Sequence, residues 1–351
     1  MTPKETSLLD MGWTQLFQSQ IDIEDYENLT PRRVTEVHRN ALETAGLSGP
    51  SRLPMTGELA DHGVAVGDWI VTDNTSGLPV RVLDRKTLLK RRASGDEPSA
   101  QLIAANVDTL FIVSSCNADF NIARLERYMV LAHQAEIEPV LILTKADQCD
   151  DPSVYRSRAE AALRDLIVET VDATDPDVAI QLQPWCSKGR TVALIGSSGV
   201  GKSTLINALS GAAAATQGIR EDDAKGRHTT TRRSMYQTTT GGWVIDTPGM
   251  RSLRLTDVAD GVDMVFADVA ELALNCKFRD CEHETEPGCA IQGAIAAGDL
   301  DPSRLKRWQK LQREDARHTE TIAESRQRTR NLAKKYGVGK SRLKAKKGDF
   351  Y

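Results

Sequence analysis

Two short motifs stand in an order that restricts the possible folds of this chain more than any other feature. Gly196-Ser197-Ser198-Gly199-Val200-Gly201-Lys202-Ser203 fits GxxxxGK[ST] in full, a phosphate-binding loop. Thr144-Lys145-Ala146-Asp147, a tetrad of the kind that reads a purine base, lies about 50 residues earlier. In ordinary domains with these motifs the phosphate loop comes first and the tetrad near the end. A third motif, Asp246-Thr247-Pro248-Gly249, follows the phosphate loop. The order is that of one nucleotide-binding sheet entered at a different point, a circular permutation.

The surroundings suit that reading. Leu110-Phe111-Ile112-Val113, Val140-Leu141-Ile142-Leu143 and Val192-Ala193-Leu194-Ile195 are unbroken apolar runs, suited to strands covered on both faces. Val244-Ile245 marks a fourth strand before Asp246. Residues 122–135 place Leu125, Met129 and Ala132 at helical spacing. Strands alternating with helices predict a doubly wound α/β domain over 101–258.

The residue types assign chemistry to each motif. Gly196, Gly199 and Gly201 let the backbone N–H groups of Ser197, Ser198, Val200 and their neighbours wrap phosphates, assisted by the N-terminus of the helix that starts at Ser203-Thr204. Lys202 is expected to reach the β- and γ-phosphates, and Ser203 to ligate Mg²⁺. Asp147 would accept from N1–H and the exocyclic amine of guanine, a donor pair that adenine lacks. Lys145 would pack over the base, and Thr144 stands where such tetrads carry Asn. Asp172-Ala173 is the expected second base loop, with the Ala173 N–H on guanine O6, although Ser is usual before that Ala. Asp246 would hold Mg²⁺ through water, and the Gly249 N–H would sense the γ-phosphate. Between these motifs, Gly226-Arg227-His228-Thr229-Thr230-Thr231 lies in a segment rich in Gly, charge and hydroxyls, as a switch loop should be. Thr230 is the preferred residue to close over Mg²⁺. Met250 follows Gly249 where Ras-like enzymes have a glutamine that orients water, and methionine cannot do that. His228 is the candidate substitute; the alternative is a group supplied by a partner.

Cys276-x4-Cys281-x-His283-x5-Cys289 offers three thiols and one imidazole, enough to close a tetrahedral Zn²⁺ site with no open position, hence a structural ion. His38, His62, His133 and His318 read as ordinary surface or packing residues. Residues 32–99 carry short strand candidates, among them Val66-Gly67-Asp68-Trp69 entering a strand and Pro79-Val80-Arg81-Val82-Leu83. They predict a small β-barrel, an OB-fold first, although an SH3-like barrel fits the pattern nearly as well. Residues 1–31 are expected to be a loosely attached arm, ending in the turn signal Asn28-Leu29-Thr30-Pro31. Residues 259–335 are expected to be a helical zinc-binding domain that includes one helix over 303–335. A basic tail follows, 336–351. From residue 303 onward the chain has sixteen Lys and Arg against five Asp and Glu, on a whole chain of net charge −4. A basic end on an acidic body suits an anionic partner, with a solvated tail as the other reading. No run of about 18 apolar residues occurs, so no membrane span is predicted. Lys4, Glu5 and Asp10 argue against a secretory leader, which leaves the cytoplasm as the expected location.

Taken together, TKAD, GSSGVGKS, GRHTTT, DTPG and the Cys276/Cys281/His283/Cys289 set resemble the RsgA/YjeQ family of bacterial ribosome-biogenesis GTPases. The segment from Asn106 to Val113 and the Val66–Trp69 turn share the resemblance, which spans roughly 32–335. It implies a multidomain chain: an N-terminal OB-fold, a central circularly permuted P-loop GTPase and a C-terminal zinc domain. It further implies binding of GTP and GDP with Mg²⁺, and one structural Zn²⁺. Hydrolysis would be stimulated by the small (30S) ribosomal subunit, with a role in late maturation of that subunit through its rRNA, and the chain would act as a monomer. The residues alone reach a GTP-binding hydrolase with RNA-facing flanks. A nucleotide-regulated RNA-binding assembly factor with incidental hydrolysis is the competing reading, and a P-loop ATPase or small-molecule kinase a third, from which Asp147 discriminates.

Overall fold

Strands covered on both faces must be apolar throughout, and the apolar runs of this chain lie side by side at its centre. The computed structural model describes residues 7–92, 100–164, 166–211, 233–247 and 258–319. Along the chain the strands are β1 (Leu29–Val37), β2 (Ala41–Ala45), β3 (Ser51–Pro54), β4 (Trp69–Asp73), β5 (Pro79–Val82), β6 (Leu88–Arg92) and β7 (Ala100–Ala105). They continue as β8 (Thr109–Ser115), β9 (Glu138–Thr144), β10 (Ile167–Thr170), β11 (Thr191–Gly196), β12 (Ser234–Gln237) and β13 (Trp243–Asp246). Among the described residues the helices of seven or more residues are α1 (Ile122–Gln134), α2 (Pro152–Ala162), α3 (Lys202–Ser210), α4 (Ala259–Val265), α5 (Ala267–Leu274), α6 (Ala290–Ala297) and α7 (Pro302–Thr319).

The sheet that positions the motifs runs β10-β9-β8-β11-β13-β12. Its first five strands are parallel, and β12 is antiparallel to β13. Counted from β11 as the first strand, the order becomes 6-5-4-1-3-2. The phosphate loop then follows strand 1 and the base-reading tetrad strand 5, so the permutation is visible in the topology. All seven residues of β8 and all six of β11 are buried. Phe111, Val113, Val140, Ile142, Val192, Leu194 and Val244 form one core face with Val178, Leu182, Leu205, Ile206 and Leu209. Asn121 caps α1 by accepting from the Arg124 N–H, and Asp151 caps α2 by accepting from Ser153. Each supplies an orphan helix donor with a partner.

The N-terminal strands are antiparallel: β1 pairs with β2 and β4, β2 with β3, and β4 with β5. Here β1 begins at Leu29, so Pro31 lies inside a strand instead of ending a turn. Pro31 is opposite Val71 of β4, while β2 pairs only from Arg33 onward. A residue without an N–H is tolerated where one side of the strand is unpaired. Glu36 of β1 also pairs with Ser234 of β12, which joins these strands to the parallel sheet.

The turn before β4 explains two of its residues. Gly67 has φ +93°, and a Cβ there would sit 2.1 Å from the Ala105 carbonyl oxygen, so only glycine fits. Asp68 is fully buried, accepts from the Ala65 N–H at 2.7 Å, and binds Arg85 through both carboxylate oxygens at 2.7 and 2.8 Å.

Residues 7–28 are not a loose arm. Met11, Trp13, Phe17 and Ile21 are buried, and Trp13 meets Trp69 edge-on at 4.8 Å. Lys188 pairs with Asp10 at 2.7 Å, and the Gly189 N–H donates to the Asp10 carbonyl. Trp13, Phe17 and Ile21 stand at i, i+4 and i+8, a helical spacing, yet the α-helix here is the single turn Gln15–Gln18, so their burial comes from packing on other strands.

The chain forms two compact units. The first takes in the described residues through Arg91 and those within Gln101–Leu253 and Asp260–Ala267; the second takes in the described residues within Arg92–Ala100, Arg254–Ala259 and from Asp268 onward. Within the second, Asp301 accepts from the Ser303 N–H to start α7, and Leu305, Trp308 and Leu311 form a narrow buried seam. Arg304 binds Asp268 in a two-pronged ion pair at 2.7 and 2.9 Å. Of the helix expected over 303–335, only the part through Thr319 belongs to the described residues, and the basic tail lies outside them. Among the described residues no helix is long and apolar enough to cross a membrane.

Candidate functional site

The phosphate loop is the turn between β11 and α3. Gly196 closes the strand against β8: a Cβ on it would lie 2.2 Å from the Val113 carbonyl oxygen. Gly199 and Gly201 adopt φ of +79° and +95°, a region that side chains strain to reach. Val200 points into the core, whereas Ser198 and Gly199 are exposed. Lys202 opens α3, and its ammonium donates to the carbonyls of Gly196, at 2.8 Å, and Ser197. Ser203 and Thr204 are exposed in the first turn of α3, where free N–H groups favour an anion.

The tetrad sits at the same edge of the sheet, at the end of β9. Lys145 takes a left-handed φ of +58°, and Ala146–Gln148 forms a single 3-10 turn that leaves the Asp147 carboxylate exposed. Thr144 is fully buried. Its hydroxyl lies 2.5 Å from the Val200 carbonyl oxygen and 3.1 Å from that of Ser114. The first contact ties the tetrad to the phosphate loop, across 56 residues of chain. Asp172 and Ala173 follow β10, the strand beside β9, and the Val171 N–H donates to the Leu143 carbonyl. The Asp172 carboxylate accepts from the Thr174 N–H and hydroxyl, which hold its pKa below the usual carboxylate range.

Asp246 ends β13, next to β11. Burial pushes its carboxyl pKa up, and the nearby Lys202 ammonium opposes that shift. Thr247 is buried and its hydroxyl donates to the Leu194 carbonyl, which anchors the strand end. His228, Thr230, Gly249 and Met250 lie outside the described residues. The edge therefore gathers a wrapped backbone, an ammonium and a carboxylate around the phosphate loop. A second carboxylate, that of Asp147, stands two strands away.

A polar hub that no motif in the sequence marks lies at the other end of β11. Arg33 is buried and donates to the carbonyls of Met11 and Asn106 and to Thr191 Oγ1 at 2.8 Å. Burial lowers its pKa to about 10. Asn106 bonds the Lys86 N–H and the Gly67 carbonyl, and Asp108 accepts from the Thr191 N–H at 2.9 Å and pairs with Lys86. The Asn106-Val107-Asp108 stretch thus joins the N-terminal strands to the start of β11. His38, expected to be unremarkable, stands between Glu36 at 3.4 Å and Glu43 at 3.8 Å.

In the second unit, ligand atoms of Cys276, Cys281, His283 and Cys289 lie within 4.8 Å of one another, the one such group of this kind among the described residues. Cys276 Sγ is 3.8 Å from Cys289 Sγ, and His283 Nδ1 is 3.5 and 3.6 Å from those two sulfurs. Bonds of about 2.3 Å to sulfur and 2.0 Å to nitrogen give tetrahedral edges of about 3.8 and 3.5 Å, so these spacings fit Zn²⁺. The surroundings orient the donors: Glu286 accepts from the N–H groups of Glu282, Glu284 and Thr285, and Gln292 donates to the His283 carbonyl.

A profile of the RsgA GTPase family matches residues 82–256. A small ribosomal subunit biogenesis GTPase RsgA from Mesorhizobium japonicum is 52% identical over 323 residues, 91% of this chain and 93% of that one. A small ribosomal subunit biogenesis GTPase RsgA 2 from Vibrio parahaemolyticus is 47% identical over 328 residues, 93% of this chain and 91% of that one. In fold the chain is similar to the crystal structure of YjeQ from Thermotoga maritima, with TM-score 0.58 and 24% identity over 81% of this chain and 97% of that one. It is likewise similar to YloQ, described as a circularly permuted GTPase, with TM-score 0.57 and 23% identity over 86% of this chain and 100% of that one.

Proposed function

The chain belongs to the RsgA GTPase family, and from that premise we propose that it hydrolyses GTP in the biogenesis of the small ribosomal subunit, stimulated by that subunit and bound to its rRNA. Membership of the family makes the chain a GTP hydrolase with the circularly permuted fold. The names of its relatives carry the subunit role. The observation that carries the nucleotide reading is the Thr144–Val200 contact, which holds a base-reading tetrad and a phosphate loop at one sheet edge.

In this reading Asp147 selects guanine, Lys145 covers the base, and Ala173 meets O6 beside Asp172. Residues 196–204 wrap the phosphates, with Lys202 on the β- and γ-oxygens. Ser203 and Thr230, with Asp246 through water, would hold Mg²⁺, which would supply charge neutralisation at the phosphates. Gly249 senses the γ-phosphate, and His228 or a group from the subunit orients the attacking water. Residues 32–99 serve as an OB-fold for RNA, 101–258 as the GTPase domain and 259–335 as a domain held by one Zn²⁺ on Cys276, Cys281, His283 and Cys289. The basic stretch 336–351 adds phosphate contacts. The chain works as a monomer in the cytoplasm, where small subunits mature.

Steady-state hydrolysis of GTP and ATP, with and without purified small subunits, tests this. Slow GTP turnover that rises at least tenfold with subunits, and little ATP turnover, is expected. No response to subunits would leave the competing reading, an RNA-binding factor with incidental hydrolysis.

A further inference from the structure

The nucleotide motifs leave one feature of the sheet unused. Strand β12 lies between the N-terminal strands and β13, and its first residue faces both. Ser234 is the register partner of Glu36 in β1 and of Asp246 in β13. Cross-strand partners place their side chains on the same face of a sheet, so Glu36, Ser234 and Asp246 form a row. The first link is a hydrogen bond, with the Ser234 hydroxyl donating to Glu36 Oε1 at 2.6 Å. A register shift between Val34 and Glu36 breaks the β1–β2 ladder there, and such bulges re-aim a side chain. The other Glu36 oxygen faces His38 at 3.4 Å. Next to Ser234, Arg233 adds a second tie by donating to the Leu102 carbonyl of β7 at 3.1 Å.

The geometry points to Glu36 as a positioning residue for the nucleotide site: through Ser234 it holds the strand pair that carries Asp246. This rests on the reading that Asp246 serves Mg²⁺. Asp246 is the last residue of β13, and β12 is the strand that holds that end from the side opposite β11. Freeing Ser234 from Glu36 lets the end of β12 shift, and the Asp246 carboxylate shifts with it. A residue of the N-terminal strands thereby belongs to the working GTPase site, although it touches neither nucleotide nor metal.

The test uses the full chain and the affinity of a fluorescent, non-hydrolysable GTP analogue, measured across a Mg²⁺ titration and in EDTA. Variants are E36A, S234A, their double, E36Q, and D246N as the reference. E36A and S234A should each raise the Mg²⁺ midpoint about threefold or more, with the double no worse than the larger single, as for one coupled unit. E36Q still accepts from Ser234 and should stay near the parent, and affinity in EDTA should hold in E36A, S234A and their double. Unchanged midpoints in both singles while D246N moves the midpoint would overturn the positioning role, as would additive shifts in the double. Loss of affinity in EDTA would make the effect a general loosening of the fold and overturn it too. A D246N midpoint equal to the parent would remove the Asp246 reading and this role with it.

Discussion

At the scale of single residues, Thr144 shows how a departure from a motif acquires meaning in three dimensions. Asparagine is usual there, and a β-branched hydroxyl residue in its place leaves the bracing of the loops open in the sequence. In the fold the hydroxyl sits between two buried carbonyls and reaches the phosphate loop at Val200. Valine has nearly the same shape and no donor. Leaving a buried carbonyl unsatisfied costs about 1–3 kcal/mol. Thr144→Val is therefore expected to weaken GDP binding roughly tenfold, read by fluorescence titration, with the melting temperature changed by only a few degrees. Binding equal to the parent would show that the hydroxyl braces nothing. The same scale explains Gly196 and Gly67, where a neighbouring carbonyl occupies the space a Cβ needs.

At the scale of elements, the N-terminal segment changes most between expectation and structure. Trp13 and Phe17 pack on Trp69, and Arg33 stacks on the same Trp69 ring at 5.8 Å while holding the Met11 carbonyl. The segment also grips the loop before β11 through Asp10. It is thus a strap over two sets of strands. Trp13→Ala removes a buried aromatic and should destabilise the full chain by about 3–5 kcal/mol in denaturant unfolding. A loss below about 1 kcal/mol would mean the contact is superficial. The parallel strands, in contrast, are legible as apolar runs, because burial on both faces leaves no other composition open to them.

At the scale of the whole molecule, the two units rest on different sources of stability. The first has a sheet with apolar cores on its faces. In the second, the segment 274–289 is largely exposed and brings the Cys276, Cys281, His283 and Cys289 donors together. His283 lies 5.7 Å from the Trp308 ring on α7, so the donor cluster packs beside the buried seam of α7. Metal binding to such a site is folding free energy. Chelation of the purified chain is expected to release one equivalent of Zn²⁺, lower the melting temperature of the second unit, and expose 274–289 to protease. GDP binding in the first unit should be retained. Intact protease resistance after metal removal would refute a structural role for the ion.

The order of the motifs, the donor set of the cysteine cluster and the covered strands were readable from the chain alone, since each depends on residue types at fixed local spacing. The packing of residues 7–28, the Arg33–Asn106–Asp108 hub and the Glu36–Ser234–Asp246 row were decided only by the tertiary structure. Their partners lie far apart in sequence: Arg33 and Thr191 are 158 residues apart, and Glu36 and Ser234 are 198. A hydrogen bond over such a distance follows no period and needs no particular neighbour in the chain. It exists because the sheet brings two strands together, and nothing in either segment announces the other.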